Sequence, residues 1–428
     1  MSRLFAVAVL VASLTTSVSF AWDNCYYSAC DPCEQAFCSP CGPIGCGSGT
    51  GSLLDKFTLY GWVQSGLTVN NHGSRNTYNG ASTPLDRSLD AFSGNSYLLM
   101  SRHPSDLSVY QTWLGLMKGC DTSRGFDWGF QTDLLFGTDG RYGQCFGDQT
   151  FDHGWGSGDY NLSLMQIYGT VGYRNMKVRV GKFASGMSHE ALPAVATFFN
   201  TAAFNCFNMP LHVSGAMVDY TVSKNLTVSG GWVAGQQNSF ENRFGDNAFL
   251  GNVTLTPWDR LKVTYNLYCG WTHGLDRVPD AATRFGRNYH TGTEIAQSLI
   301  FTVNLNKKWM YMIEGVLADN SYDTGTTKAY YTGLNQHLIY TINNAWAAGL
   351  RFEWSHAKGT IFDVANQTFD GYDSCAITLG ANWTPNKWFI LRPELRYDWT
   401  DYNNGFQPFA SGTKANQLSG GGSVIVKF

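Results

Sequence analysis

Six of the eleven cysteines crowd one stretch, at Cys25, Cys30, Cys33, Cys38, Cys41 and Cys46, an eight-residue repeat with Pro and Gly in its gaps. Cys30-x2-Cys33 and Cys38-x2-Cys41 have the spacing of zinc ligands. In an oxidising compartment the same thiols would instead pair. No compact fold is readable around them, which favours disulfides over a metal or a plain spacer, and six thiols leave the connectivity open. Cys120 is a seventh candidate, because it falls in a short connection on the same side as the N-terminal stretch, whereas Cys145 and Cys206 fall in long loops and could pair with each other. The second chemical set is charged. Lys177, Arg179, Lys262, Arg351, Arg392 and Arg396 stand against Asp127, Asp133, Glu314, Glu353, Glu394 and Asp398, six of each sign. Such residues could form facing rows across a water-filled opening and set a transverse field. They could equally neutralise their neighbours and hold a wall together, and both readings stay open.

Catalytic chemistry has little support. There is no Gly-x-Ser-x-Gly elbow, P-loop or His-Glu-x-x-His motif. His189-Glu190 lacks a second His at i+4, and Asp398, Asp401, Asn403 and Asn404 before Gly405 miss the spacing of an EF-hand. Neither an enzyme, a metal nor a cofactor is expected.

Of 428 residues, 14% are charged, 15% are aromatic and 47 are Gly, yet mean hydropathy is −0.19. That balance fits apolar and polar residues alternating one by one. A net charge of −3 lacks the basic footprint of a nucleic-acid binder. The single long apolar run, Leu4 to Leu14, follows Arg3 and precedes Ser19-Phe20-Ala21, which reads as an export signal cleaved before Trp22. The expected organisation is a signal peptide at 1–21, a Cys-rich segment and Gly/Ser linker at 22–56, and one domain at 57–428.

That domain shows the period-two alternation of strands throughout. Sixteen segments are expected, at 57–66, 109–118, 126–136, 162–173, 176–183, 212–222, 225–235, 246–256, 260–271, 294–305, 308–319, 329–342, 345–355, 372–384, 388–399 and 418–428. Tight links such as Arg174-Asn175, Ser223-Lys224, Pro257-Trp258-Asp259 and Pro385-Asn386-Lys387 alternate with long polar stretches such as 67–108, 137–161 and 184–211. An even number of antiparallel strands, with short turns at one end and long loops at the other, is the layout of an all-β transmembrane barrel in an outer membrane. The short turns and both chain ends then face the periplasm.

The faces agree with that layout. Phe389, Leu391, Leu395 and Tyr397 oppose Arg392, Glu394, Arg396 and Asp398, and Leu350 and Phe352 oppose Arg351 and Glu353. On this parity Leu350→Arg is expected to damage folding, while Arg351→Ala is expected to be tolerated and to alter ion selectivity. Cys269 and Cys375 fall on the lipid parity and should be free. Trp258, Trp309, Trp346 and Trp388 stand beside short turns, where an indole buries its ring at the headgroups and keeps its N–H wet. The chain ends Val424-Ile425-Val426-Lys427-Phe428, and a terminal Phe on an alternating strand suits recognition by barrel-assembly machinery.

The chain resembles the OmpL-like β-barrel porins of planctomycete-type outer membranes over about 57–428. Phe126-Asp127-Trp128-Gly129-Phe130 through Asp139, Tyr160-Asn161-Leu162 with Gln166-Ile167-Tyr168, and Val180-Gly181-Lys182-Phe183 carry the resemblance. So do His189-Glu190, Phe198-Phe199 and Leu391 to Asp398. Met165 departs from it, the family usually having Pro before the Gln. The resemblance implies an outer-membrane pore in contact with lipid. A sixteen-strand wall would enclose a lumen wide enough to pass small hydrophilic solutes, and a long loop such as 67–108 or 137–161, folded inward, would narrow it. Homo-oligomers are implied only by analogy with porin trimers. The alternative is a structural or adhesive surface barrel, tethered through its Cys-rich segment.

Overall fold

The computed structural model describes residues 56–72, 107–145, 152, 155–157, 160–238, 240, 246–274, 290–322, 328–358, 371–401, 409–410 and 413–428. The six N-terminal cysteines and the export signal lie outside the described residues.

The strands are β1 (Thr58–Asn70), β2 (Ser108–Lys118), β3 (Phe126–Gly137), β4 (Gly156–Ser157), β5 (Tyr160–Tyr173), β6 (Met176–Ala184), β7 (His212–Ser223), β8 (Leu226–Gln236) and β9 (Asn247–Trp258). They continue with β10 (Leu261–Gly274), β11 (His290–Asn304), β12 (Trp309–Tyr322), β13 (Lys328–Thr341), β14 (Trp346–Lys358), β15 (Tyr372–Asn386), β16 (Phe389–Asp401) and β17 (Asn416–Lys427). Neighbours pair antiparallel, β3 pairs directly with β5, and the two-residue β4 lies against β5. β1 pairs with both β2 and β17. Apart from β4, the wall is therefore a closed sixteen-strand barrel. Closure leaves no sheet edge for hydrocarbon to solvate.

The last residue completes it. The Phe428 N–H donates to the Gly61 carbonyl at 3.0 Å, and the Gly61 N–H donates to the Phe428 carbonyl at 3.1 Å. The Phe428 ring occupies the space that a Cβ on Gly61 would need. Only glycine lets the terminal ring seat there.

Every expected segment coincides with a wall strand, but several tight links shift by a residue or two. Pro257 lies inside β9 and Pro385 inside β15, each beside a register irregularity with the partner strand. A proline can stay in a strand where the ladder is already broken, since it has no N–H to donate. The turns are instead built by side chains. Asn306 Oδ1 accepts from the Lys308 and Trp309 N–H groups at 2.8 and 3.1 Å, and Asn343 does the same for Ala345 and Trp346 at 2.9 and 3.0 Å. This self-capping is why Asn serves at these corners. Arg174 takes a φ of 53°, as a two-residue hairpin turn requires.

Burial alternates along the strands. On β14, Leu350 and Phe352 are exposed while Arg351 and Glu353 are buried. The outward positions form an apolar band that includes Leu299, Leu350, Ile377, Leu379 and Leu395, all exposed. Aromatic belts flank it. Phe126, Trp128, Tyr173, Tyr220, Trp258, Trp309 and Trp346 are exposed toward the short turns, and Phe136, Trp232, Phe249, Trp271 and Tyr397 toward the long loops. Trp388 is partly buried beneath Lys387, whose Nζ lies 4.5 Å from its ring. From Trp346 to Trp354 on β14 the band spans about 20 Å across the membrane, at a rise of ~3.4 Å per residue and a tilt of ~40°. The second belt has no tryptophan beside a short turn to mark it in the sequence.

Candidate functional site

The interior is defined by a segment that leaves the wall. The connection 185–211, between β6 and β7, turns into the barrel, and Leu192, Ala194, Phe199, Ala203, Phe204, Cys206 and Met209 are buried on it. The sequence had pointed to 67–108 or 137–161 as the constricting loop. Of the former, 73–106 lies outside the described residues. The latter does tuck inward in part, since Cys145 and Asp152 are buried and Lys182 Nζ lies 3.6 Å from Asp152 Oδ2. The loop that meets the far wall, however, is 185–211. It is poor in charge and rich in small residues, so it can run close to the wall and offer it backbone N–H and C=O groups.

Those groups are taken up by the charged residues singled out from the sequence. Arg351 on β14 donates to Glu190 at 2.7 Å and to the Thr201 carbonyl at 2.7 Å, and its Nε stands 2.9 Å from Glu353. Arg396 on β16 reaches Glu353 at 2.7 Å and Asp398 at 2.8 Å. Glu353 also accepts the Phe204 N–H at 2.7 Å. Glu394 accepts the Asn200 N–H at 2.7 Å, the Thr201 N–H at 3.2 Å and the Thr201 hydroxyl. Arg392 donates to the carbonyls of Ala194 and Thr197 at 2.8 and 3.1 Å. On β12, Glu314 accepts the His189 N–H at 2.6 Å and the Asn205 amide at 3.1 Å. Two cationic groups also lie over rings of the segment, Arg351 over Phe199 at 4.7 Å and Arg396 over Phe204 at 5.0 Å.

Arginine suits this work because its fork can hold a carboxylate and a carbonyl at once. All seven wall residues are at most 9% exposed. Between the two arrangements that the sequence left open, β14 and β16 take the second: opposite charges alternate on neighbouring positions, neutralise one another and clamp the inserted segment.

The other sequence-identified charges lie apart from this clamp. Asp133 on β3 is fully buried and accepts from Tyr60, Trp113, Gln131 and Gln166, the last three at 2.8–2.9 Å. Arg179 pairs with Asp219 at 3.3 Å, and Asp127 with Lys118 at 3.1 Å beside the 119–125 turn. Lys177 and Lys262 keep partial exposure inside the barrel. So do Thr254, Thr264 and Thr302, which share their face toward the short-turn end of β9 to β11. This end of the interior is therefore wetter than the clamp.

Sequence reasoning missed Gln111 of β2. It donates to the Leu192 carbonyl at 2.7 Å and to Asp139 at 2.9 Å, and it accepts the Ala194 N–H at 2.9 Å. Its signal was present as a buried-parity Gln in a strand otherwise apolar on that face. Met165, where the resemblance calls for Pro, is buried in a cluster with Trp62, Trp113 and Leu135. None of the described cysteines Cys120, Cys145, Cys206, Cys269 and Cys375 is in a disulfide. Cys145 and Cys206 are both buried and are not joined to each other, so the pairing considered for them is not made in this structure. Burial pushes the Cys120 thiol above its ordinary range.

A family model described as "Putative beta-barrel porin-2, OmpL-like" matches residues 56–428. No curated protein sequence matches. Among solved structures the chain is similar to OmpT in its trimer form, an outer membrane protein of Vibrio cholerae, with a TM-score of 0.56 at 10% identity over 87% of this chain and 99% of that one. It is likewise similar to an anion-selective porin from Comamonas acidovorans, with 0.55 at 13% identity over 87% and 99%. The outer membrane channel DcaP of Acinetobacter baumannii follows at 0.53 and 14% identity, over 87% and 97%. At such identities these likenesses speak for the fold alone.

Proposed function

Since the chain belongs to the OmpL-like beta-barrel porin-2 family, we propose that it is an outer-membrane channel through which small hydrophilic solutes diffuse passively. One observation carries this reading. The barrel interior is polar, and among the described residues the segment 185–211 crowds β12 to β16, while Lys177, Lys262 and the threonines of β9 to β11 keep exposure toward the short turns. Sixteen strands enclose a lumen wide enough for water, so a segment that fills one side narrows the passage. Export through residues 1–21 and recognition of Phe428 by assembly machinery belong to the same proposal.

The passage is set by size more than by a strong field, because the charges of β14 and β16, three of each sign, are sealed beneath the segment. The purified, folded, full-length protein in a planar bilayer should give discrete conductance steps, and vesicles carrying it should swell in small sugars and not in large ones. Absence of both would sink the channel. That outcome would favour a structural barrel, a reading supported by the complete occlusion of Arg351, Arg392 and Arg396 beneath the inserted segment.

A further inference from the structure

The short connections hold seven basic residues, among them Arg174, Lys224, Lys307, Lys308 and Lys387, against only Asp121 and Asp259. The connections between the other strand ends run the other way in sequence, with nine basic residues against fifteen acidic, of which Asp139, Asp152, Glu190 and Asp246 are buried. The net charge of the chain is only −3. The basic rim is thus a polarity along the barrel axis and not general basicity.

A second observation fixes where these cations face. The Arg174 guanidinium lies 5.1 Å from the Tyr173 ring, and Lys308 Nζ lies 5.7 Å from the Tyr340 ring. Tyr173 is exposed on the outer wall, and Tyr340 packs tilted against the exposed Trp309 at 4.5 Å between ring centres. Arg174 and Lys308 therefore sit on the outer perimeter at the depth of the aromatic belt, where headgroups lie. These two do not project across the pore mouth. Arg174, Lys224, Lys307, Lys308 and Lys387 are all exposed.

We propose that the short-turn rim is a collar for anionic phospholipid headgroups. A phosphodiester accepts forked hydrogen bonds from Arg and point contacts from Lys, while the lysine stems lie along the apolar band. A soluble cell-wall polymer is disfavoured as occupant because it would need cations aimed along the axis.

The test uses the full-length protein in neutral detergent, mixed with phosphatidylglycerol and phosphatidylcholine and then stripped, with retained lipid counted by mass spectrometry. Phosphatidylglycerol should be retained preferentially at low salt, by roughly fivefold per engaged side chain. The preference should fade near 1 M salt, where the screening length falls to about 3 Å. Replacing Arg174, Lys224, Lys307, Lys308 and Lys387 together by Gln should abolish it, while Arg277→Gln, Arg284→Gln and Arg287→Gln in a long connection should leave it intact. Heat-modifiable migration checks that each variant is folded. Equal retention of both lipids by the native protein overturns the proposal. So does an equal loss in both variants, or binding to an anionic cell-wall polymer without lipid preference. The collar variant should keep its single-channel conductance, so this proposal and the channel fail by different measurements.

Discussion

Inward charges on β14 and β16 and inward charges on β6 and β10 begin alike, as polar positions alternating with apolar ones, and end in different surroundings. Arg351, Glu353 and Arg396 are sealed beneath residues 190–204. Lys177 and Lys262 keep contact with the interior space. Strand periodicity decides which way a side chain points. What it meets there depends on whether a loop returns to cover it. The same inward arginine is then a fastener, and the same inward lysine a group left open to the interior space.

The comparison breaks most sharply at Arg351. From parity alone, Arg351→Ala should be harmless to folding. In the sealed half it would strand the carboxylates of Glu190 and Glu353, and removing one partner of a buried ion pair costs about 3–5 kcal/mol. A urea midpoint in vesicles should fall accordingly, and surviving channels should conduct more as the segment loosens. An unchanged midpoint would show that the clamp is not a clamp. Next in size is the outer wall: Leu350→Arg places a charge in hydrocarbon at a cost of roughly 2–4 kcal/mol, read on the same midpoint. A variant as stable as the native chain would put Leu350 on the wrong face.

Lys262→Glu tests the wet half. Its unfolding midpoint should stay within about 0.5 kcal/mol, while the reversal potential in a salt gradient moves toward cations. A folding loss as large as that of Arg351→Ala would erase the distinction between the halves. The smallest effect is chemical. Thiolate is the reacting form, so Cys120, raised by burial, should alkylate slowly at pH 8 and faster as pH rises, whereas Cys145 and Cys206 should resist until the barrel unfolds. Early labelling of Cys206 would place 185–211 in solvent.

Much of this molecule was legible before any coordinates. The sixteen strands and the alternation of long and short connections followed from a period of two, which repeats over a dozen residues and needs no knowledge of neighbours. The turn positions were less exact, because Pro257 and Pro385 read as corners although irregular pairing lets strands absorb them. The site was legible only as a set of residues. Nothing near Glu394 in the chain announces that it will accept the N–H groups of Asn200 and Thr201, more than 190 positions away.

The sequence by itself determined the local conformation and the facing of each strand, since side-chain alternation acts between adjacent residues and survives any packing. Tertiary structure alone decided which connection enters the lumen. A loop's polar backbone can be satisfied by water outside or by wall charges inside. The wall groups come from β2, β12, β14 and β16, charged on all but β2, and they converge around residues 189–204 only once the Phe428 strand has closed against β1.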